Sequence, residues 1–104
     1  MSLPERDARV LWHPYTQHAT SPAPLPVRSA RGATLTLEDG REILDAISSW
    51  WVTLHGHGEP LIAAAIAEQA QRLEQVIFAW FTHEPAVRLA EHLVAACAQR
   101  GFPL

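Results

Sequence analysis

Apolar and polar positions divide the chain into four zones of different periodicity. Over residues 4–12 the pattern predicts a short helix. Pro4 suits a first-turn position, where no backbone N–H is needed, and Pro14 stops a helix from continuing past His13. Residues 13–27 carry prolines at 14, 22, 24 and 26, which exclude regular helix and predict an extended arm laid along other structure. From Val27 to Val52 the period falls to two, with Leu35 and Leu37 alternating with Thr34 and Thr36. Arg31-Gly32 and Asp39-Gly40 punctuate this zone. The second predicts a two-residue I′ turn with positive φ at both central positions, and hence a small antiparallel meander.

Helical spacing returns near Pro60 and is predicted to run to about Val76. Ile62, Ile66, Leu73 and Val76 lie near one face, with Glu68, Gln71 and Glu74 largely away from it. A second helix is predicted from Glu84 or Pro85 to Arg100, with Thr82 as its cap and Gly101 as its stop. Its apolar stripe is Leu89, Leu93, Ala96 and Cys97. Between the two helices, Val76 to Phe81 is very apolar for a connection, and the chain closes on Phe-Pro-Leu. Four tryptophans and three phenylalanines in so small a unit predict a surface covered by something outside these residues. The predicted fold class is α+β: residues 1–26 form a helix and arm, and residues 27–104 form a meander with two helices.

Composition narrows the function. At 104 residues, 48% apolar and 18% charged, the chain has the size and make-up of one soluble domain with an apolar core. A formal charge of −3 gives no reason to expect nucleic acid or an anionic membrane as partner. Met1 to Asp7 alternate charges where a signal peptide needs an apolar run, and no apolar stretch reaches the roughly 20 residues of a membrane span. A cytoplasmic protein is expected. Cys97 is the single cysteine, so no internal disulfide forms, and on a helix stripe it reads as an inert packed thiol. All eight basic residues are arginine; lysine is absent.

Three constellations could carry chemistry. Trp12-His13-Pro14-Tyr15 is a proline-stiffened aromatic turn that serves either as a lid or as an anchor for the arm. Asp45 to Val52 contains Trp50-Trp51; in an extended segment their side chains point to opposite sides, one to the core and one to a cavity or partner. A flat indole accepts an aliphatic chain or a cation on its face. His55-Gly56-His57-Gly58-Glu59-Pro60 has two histidines at i, i+2, and with His83 or His92 a three-ligand metal set is conceivable. The spacing matches no zinc motif, however, and the glycines favour a tight turn into the helix. Ser48 and Ser49 lack a nucleophile elbow, and no glycine-rich phosphate motif precedes a helix.

Together these residues resemble one family. Leu-Trp-His-Pro-Tyr-Thr at 11–16, the Asp-Gly hairpin at 39–40, Asp45 through Trp51, Leu54-His-Gly-His-Gly and Phe-Thr-His-Glu-Pro-Ala at 81–86 occur in this order. They are similar to the N-terminal region of class III, fold-type I aminotransferases, and His-Pro-Tyr and Ser-Ser-Trp-Trp point to the branch that acts in biotin synthesis. The match runs from about residue 9 to the end. The resemblance implies an α/β enzyme when complete, with pyridoxal 5′-phosphate (PLP) as cofactor. It implies S-adenosylmethionine as amino donor and 8-amino-7-oxononanoate as acceptor, and a homodimer with residues of two subunits around each active site. On it, Tyr15 and Trp50 match aromatic substrate-recognition residues, leaving Trp51 to the core.

Two places depart from the pattern that the resemblance implies. Glu59 stands where a histidine is common, and Ala79-Trp80-Phe81 where relatives often have two glycines, so pocket shape and amino donor are open to change. The family chemistry needs a lysine for the Schiff base, and this chain has none. The resemblance therefore implies that the lysine, the Gly-Ser phosphate loop and the large doubly wound domain lie beyond these residues, and that the segment alone is inactive. Another class III aminotransferase, acting on ω-amino acids or ornithine, and a non-catalytic binding module are the competing readings.

Overall fold

The structure, a computed structural model, describes residues 1–101. They fall into two compact units, Met1–Ala65 and a second that begins at Ile66.

In the first unit, helix α1 spans Leu3–Val10. Its start is fixed by reciprocal capping: the Glu5 N–H donates to Ser2 Oγ at 3.4 Å and the Ser2 N–H to Glu5 Oε2 at 2.7 Å. Beyond the C-cap Leu11, His13 Nε2 lies 2.8 Å from Asp7 Oδ2, which ties the next turn back to the helix. The arm is less extended than its prolines suggest. Gln17 O accepts from the N–H groups of Thr20 and Ser21, curling residues 17–21 into a turn. Its end joins the sheet through a bond from the Glu38 N–H to Pro26 O at 2.9 Å.

Strands β1 (Val27–Arg31), β2 (Thr34–Leu37) and β3 (Glu42–Leu44) form the predicted antiparallel meander in the order β1-β2-β3. Gly32-Ala33 joins the first pair, at the turn expected there. The second turn differs from the two-residue I′ form. The Gly40 N–H donates to Leu37 O and the Leu37 N–H to Arg41 O, so three residues make the loop. Only Gly40 takes positive φ (+87°), while Asp39 accepts from the Arg41 backbone N–H at 3.0 Å and from Arg41 Nε at 2.7 Å. An aspartate so bonded has no need of the left-handed conformation that the I′ turn demands. The strands also end earlier than predicted, at Leu44 rather than Val52.

Helix α2 (Ser48–Trp51) is a single left-handed turn, and α3 (Pro60–Arg72) starts at the predicted proline. The Ile62 N–H donates to the Glu59 carboxylate at 2.9 Å, so Glu59 serves as an N-terminal cap. The helix ends four residues short of Val76. Gln69 Nε2 donates to Leu73 O at 2.8 Å, satisfying a terminal carbonyl, and the β-branched Val76-Ile77 pair that follows does not favour another turn.

In the second unit, α4 covers Glu84–Gln99 and stops before Gly101, as predicted. Its N-cap is His83, in extended conformation, and not Thr82, which lies one residue too early to reach the first free N–H groups. Trp80 is fully exposed at φ +77°, a conformation more at ease with glycine than with an indole-bearing residue.

The expected apolar core is nearly absent. Among the described residues Leu37 alone is a buried apolar side chain, and α3 and α4 bury none. Strands of five, four and three residues offer too small a face to enclose more. Among the described residues no helix is long and apolar enough to cross a membrane.

Two outcomes follow. On its own the 104-residue chain self-associates with rising concentration, because Ile77, Phe78, Trp80 and Phe81 are all exposed; a monodisperse, cooperatively melting monomer by light scattering and calorimetry contradicts this. Gly56→Ala destabilises more than Gly40→Ala in urea titration. Both force a side chain to positive φ, at about 1 kcal/mol. Only at Gly56 does the new Cβ meet backbone, 2.9 Å from Gly32 Cα, for a further 1–3 kcal/mol or so.

Candidate functional site

The site grows from the end of β3. The Asp45 N–H donates to Ala33 O at 2.8 Å, carrying the sheet pairing one residue further, and the chain then turns left-handed. Ser48, Ser49, Trp50 and Trp51 have φ of +49°, +48°, +66° and +66°. Bonds from the Trp51 N–H to Ile47 O (2.9 Å) and from the Val52 N–H to Ser48 O (3.0 Å) close the turn. Each L-residue in this conformation costs about 1–2 kcal/mol, so four in a row need a specific compensation.

Asp45 supplies it. Its Oδ1 accepts from the Ser49 backbone N–H at 3.0 Å, and its Oδ2 accepts from Ser49 Oγ and His57 Nε2, both at 2.7 Å. The carboxylate is nearly enclosed, with 6% of the side chain exposed. The Ser49 N–H first, then the His57 and Ser49 side chains, lower its pKa from 3.8 to about 2. His57 is fixed in turn by its backbone: it exchanges N–H···O bonds with Gly32 at 2.8 and 2.9 Å. The close approach of Gly56 to Gly32 leaves no room for a side chain, which is why glycine is required there. A cavity of about 280 Å³ lies beside this cluster, lined by Ala33, Asp45, Ser48, Thr53 and Leu54 together with the two glycines.

The two residues expected to contact substrate come together on this scaffold. Tyr15 and Trp50 meet edge to face with ring centroids 5.3 Å apart at 65°. Tyr15 is 91% exposed and also has positive φ (+58°), while Trp50 is 56% exposed. The Trp12 indole N–H donates to Thr16 O at 3.3 Å, and its ring lies edge-on to His18 at 6.0 Å, so Trp12 stiffens the arm while Tyr15 reaches the turn.

The expectation for Trp51 fails. The segment is not extended, so the alternation expected of a strand does not apply, and Trp51 is 79% exposed within this segment. The histidine cluster resolves differently too. His57 is engaged by Asp45, and among the described residues no three His, Cys, Asp or Glu side chains converge as a metal set would. His83 instead packs edge-on against Phe78 at 5.7 Å. Sequence reasoning missed the partnership of Asp45 with Ser49 and His57. The Asp-to-Ser spacing of four was its one local signal, and the His57 link spans twelve residues.

Stability of the first unit should depend on acid in a defined way. Asp45 has a folded pKa below its unfolded value of 3.8, so its contribution is present above pH 4 or so and is lost as pH falls towards about 2. Asp39, lowered by the Arg41 N–H and guanidinium, acts in the same direction. In acid titrations followed by circular dichroism, Asp45→Asn is less stable near neutrality and shows a weaker further loss between pH 4 and 2. Equal acid slopes for variant and parent contradict the assignment.

Comparison with known proteins places this architecture. The profile of the aminotransferase class-III family matches residues 15–101. A curated adenosylmethionine-8-amino-7-oxononanoate aminotransferase from Synechococcus elongatus is 60% identical over 83 residues, covering 80% of this chain and 20% of the relative. One of the same name from Corynebacterium glutamicum is 44% identical, covering 89% and 22%. The crystal structure of adenosylmethionine-8-amino-7-oxononanoate aminotransferase from Methanocaldococcus jannaschii superposes with a TM-score of 0.82 at 32% identity, over 90% of this chain and 22% of that one. The chain thus spans about a fifth of the length of the curated relatives it matches. From Tyr15 onward, through the meander, the left-handed turn and the two helices, the chain belongs to the class III aminotransferases, a family of PLP-dependent enzymes.

Proposed function

We propose that this segment is the N-terminal part of a PLP-dependent aminotransferase of biotin synthesis. The complete enzyme passes the amino group of S-adenosylmethionine to 8-amino-7-oxononanoate, giving 7,8-diaminononanoate. Within it, Tyr15 and Trp50 contact substrate. The observation that carries this reading is the Tyr15–Trp50 pair, an exposed aromatic corner on a braced turn, in a chain 60% identical to a relative of that name.

The residues present do not suit the cofactor. With no lysine among them, they offer no amine to bind its aldehyde. PLP supplies the electron sink of amino transfer when bound, and that role falls to groups outside this segment. What this chain contributes is recognition. Both substrates join an apolar or sulfonium part to a polar, amino-acid-like end. An indole face takes an aliphatic chain or a sulfonium, and the Tyr15 hydroxyl offers one hydrogen bond. The same reading assigns residues 1–26 to an arm and residues 27–104 to the small domain, in a cytoplasmic homodimer.

In the complete enzyme, Trp50→Ala raises KM for both substrates about tenfold, equivalent to 1.4 kcal/mol, and leaves the absorbance of bound PLP unchanged. An unaltered KM for both sinks the assignment of Trp50. Mixing the PLP-loaded enzyme with S-adenosylmethionine changes the cofactor absorption band. A response to ω-amino acids or ornithine alone transfers the protein to another class III activity.

A further inference from the structure

We propose that Asp45 and His57 are positioning residues that set the orientation of Trp50, and with it the geometry of the aromatic pair it forms with Tyr15. This inference rests on the reading of Trp50 as a substrate contact.

The chain of contacts is short and directed. Asp45 grips Ser49 twice, through its backbone N–H at 3.0 Å and its hydroxyl at 2.7 Å, and Ser49 is the residue immediately before Trp50. On the far side, the Trp51 N–H is bonded to Ile47 O and the Val52 N–H to Ser48 O. The backbone is thus held on both flanks of Trp50, in a conformation (φ +66°, ψ +47°) that an indole-bearing residue would otherwise leave. If that backbone relaxes to negative φ, the Cβ swings and the ring leaves its place 5.3 Å from Tyr15.

His57 gives the clamp a fixed reference. Its Nε2 bonds the same Asp45 Oδ2 at 2.7 Å, and its backbone is locked to Gly32 in the turn between β1 and β2. Asp45 itself is tied to that turn by the bond from its N–H to Ala33 O. The left-handed turn is therefore registered to the sheet through two side chains whose hydrogen bonds run to Ser49 and to each other, an arrangement suited to holding a contact residue by its backbone. The pair is well shielded, with 18% of the His57 and 6% of the Asp45 side chain exposed, so water competes poorly for these bonds.

A double-mutant cycle on KM in the complete enzyme tests this. His57→Ala is expected to raise KM several-fold, in proportion to the share of Trp50 orientation it controls, while bound-PLP absorbance and melting temperature stay close to the parent. His57→Gln, which keeps a side-chain N–H donor, recovers part of the loss, and Asp45→Asn gives a larger rise than either. The decisive readout is the Trp50→Ala background, where His57→Ala and Asp45→Asn produce little further rise, because the residue they position is gone. Should Asp45→Asn fail to fold, the two His57 variants decide alone. Equal KM effects in the parent and Trp50→Ala backgrounds overturn the proposal, since they mark a general structural role, and so does a His57→Ala enzyme with unaltered KM. If Trp50→Ala itself leaves KM unchanged, the substrate-contact reading fails first and this inference falls with it.

Discussion

One carboxylate carries more of this structure than any apolar contact in it. Asp45 gathers three donors from two segments, and each bond answers a different need. The Ser49 bonds stabilise a backbone conformation that L-residues avoid, while the His57 bond fastens that conformation to the edge of the sheet. Where, among the described residues, Leu37 alone is a buried apolar side chain, packing cannot supply such restraint, and a shielded charge with well-directed donors can. The arrangement also explains the paired glycines. A Cβ at Gly56 would lie 2.9 Å from Gly32 Cα, so only with a hydrogen atom at Gly56 do the two backbones come near enough for His57 to reach the aspartate, while Gly32 serves the turn by its positive φ of +58°.

The exposure of α3, α4 and the Ile77–Phe81 segment has the character of an interior surface lacking its cover. Helices with a clear apolar stripe and no buried residue are seldom stable alone. The chain spans about a fifth of the length of the relatives it matches. Trp80 stands apart within this surface. A fully exposed indole at positive φ is costly by two separate measures.

Much of the fold was legible in the residues because its determinants are local. Pro4, Pro60 and Pro85 mark helix starts, Gly101 marks a stop, and the threonine–leucine alternation at 34–37 marks the central strand. The errors arose where one side chain redirects the backbone. Asp39, bonded to Arg41, changes the hairpin loop length, and Asp45, bonded to Ser49, converts a run read as strand into a left-handed turn. Such effects leave no periodicity to detect. Trp50 and Tyr15 were identified from resemblance, not from spacing, and their meeting at 5.3 Å depends on positive φ at both residues, which nothing in their side chains favours. His57 was visible only as half of a histidine pair, so its aspartate partner twelve residues earlier went unread.

The backbone at Trp50 sets stability against recognition within a single residue. Its φ of +66° is where glycine is at ease, so exchanging the indole for hydrogen would relieve the turn while stripping away the ring that the proposed function assigns to substrate. Variants selected for thermal endurance would drift towards glycine at 48–51, and on the proposed role of Trp50 those selected for substrate would keep the aromatic side chain and its backbone penalty. A glycine and an alanine at this position are therefore not equivalent deletions: both remove the ring, but only the alanine keeps the strain.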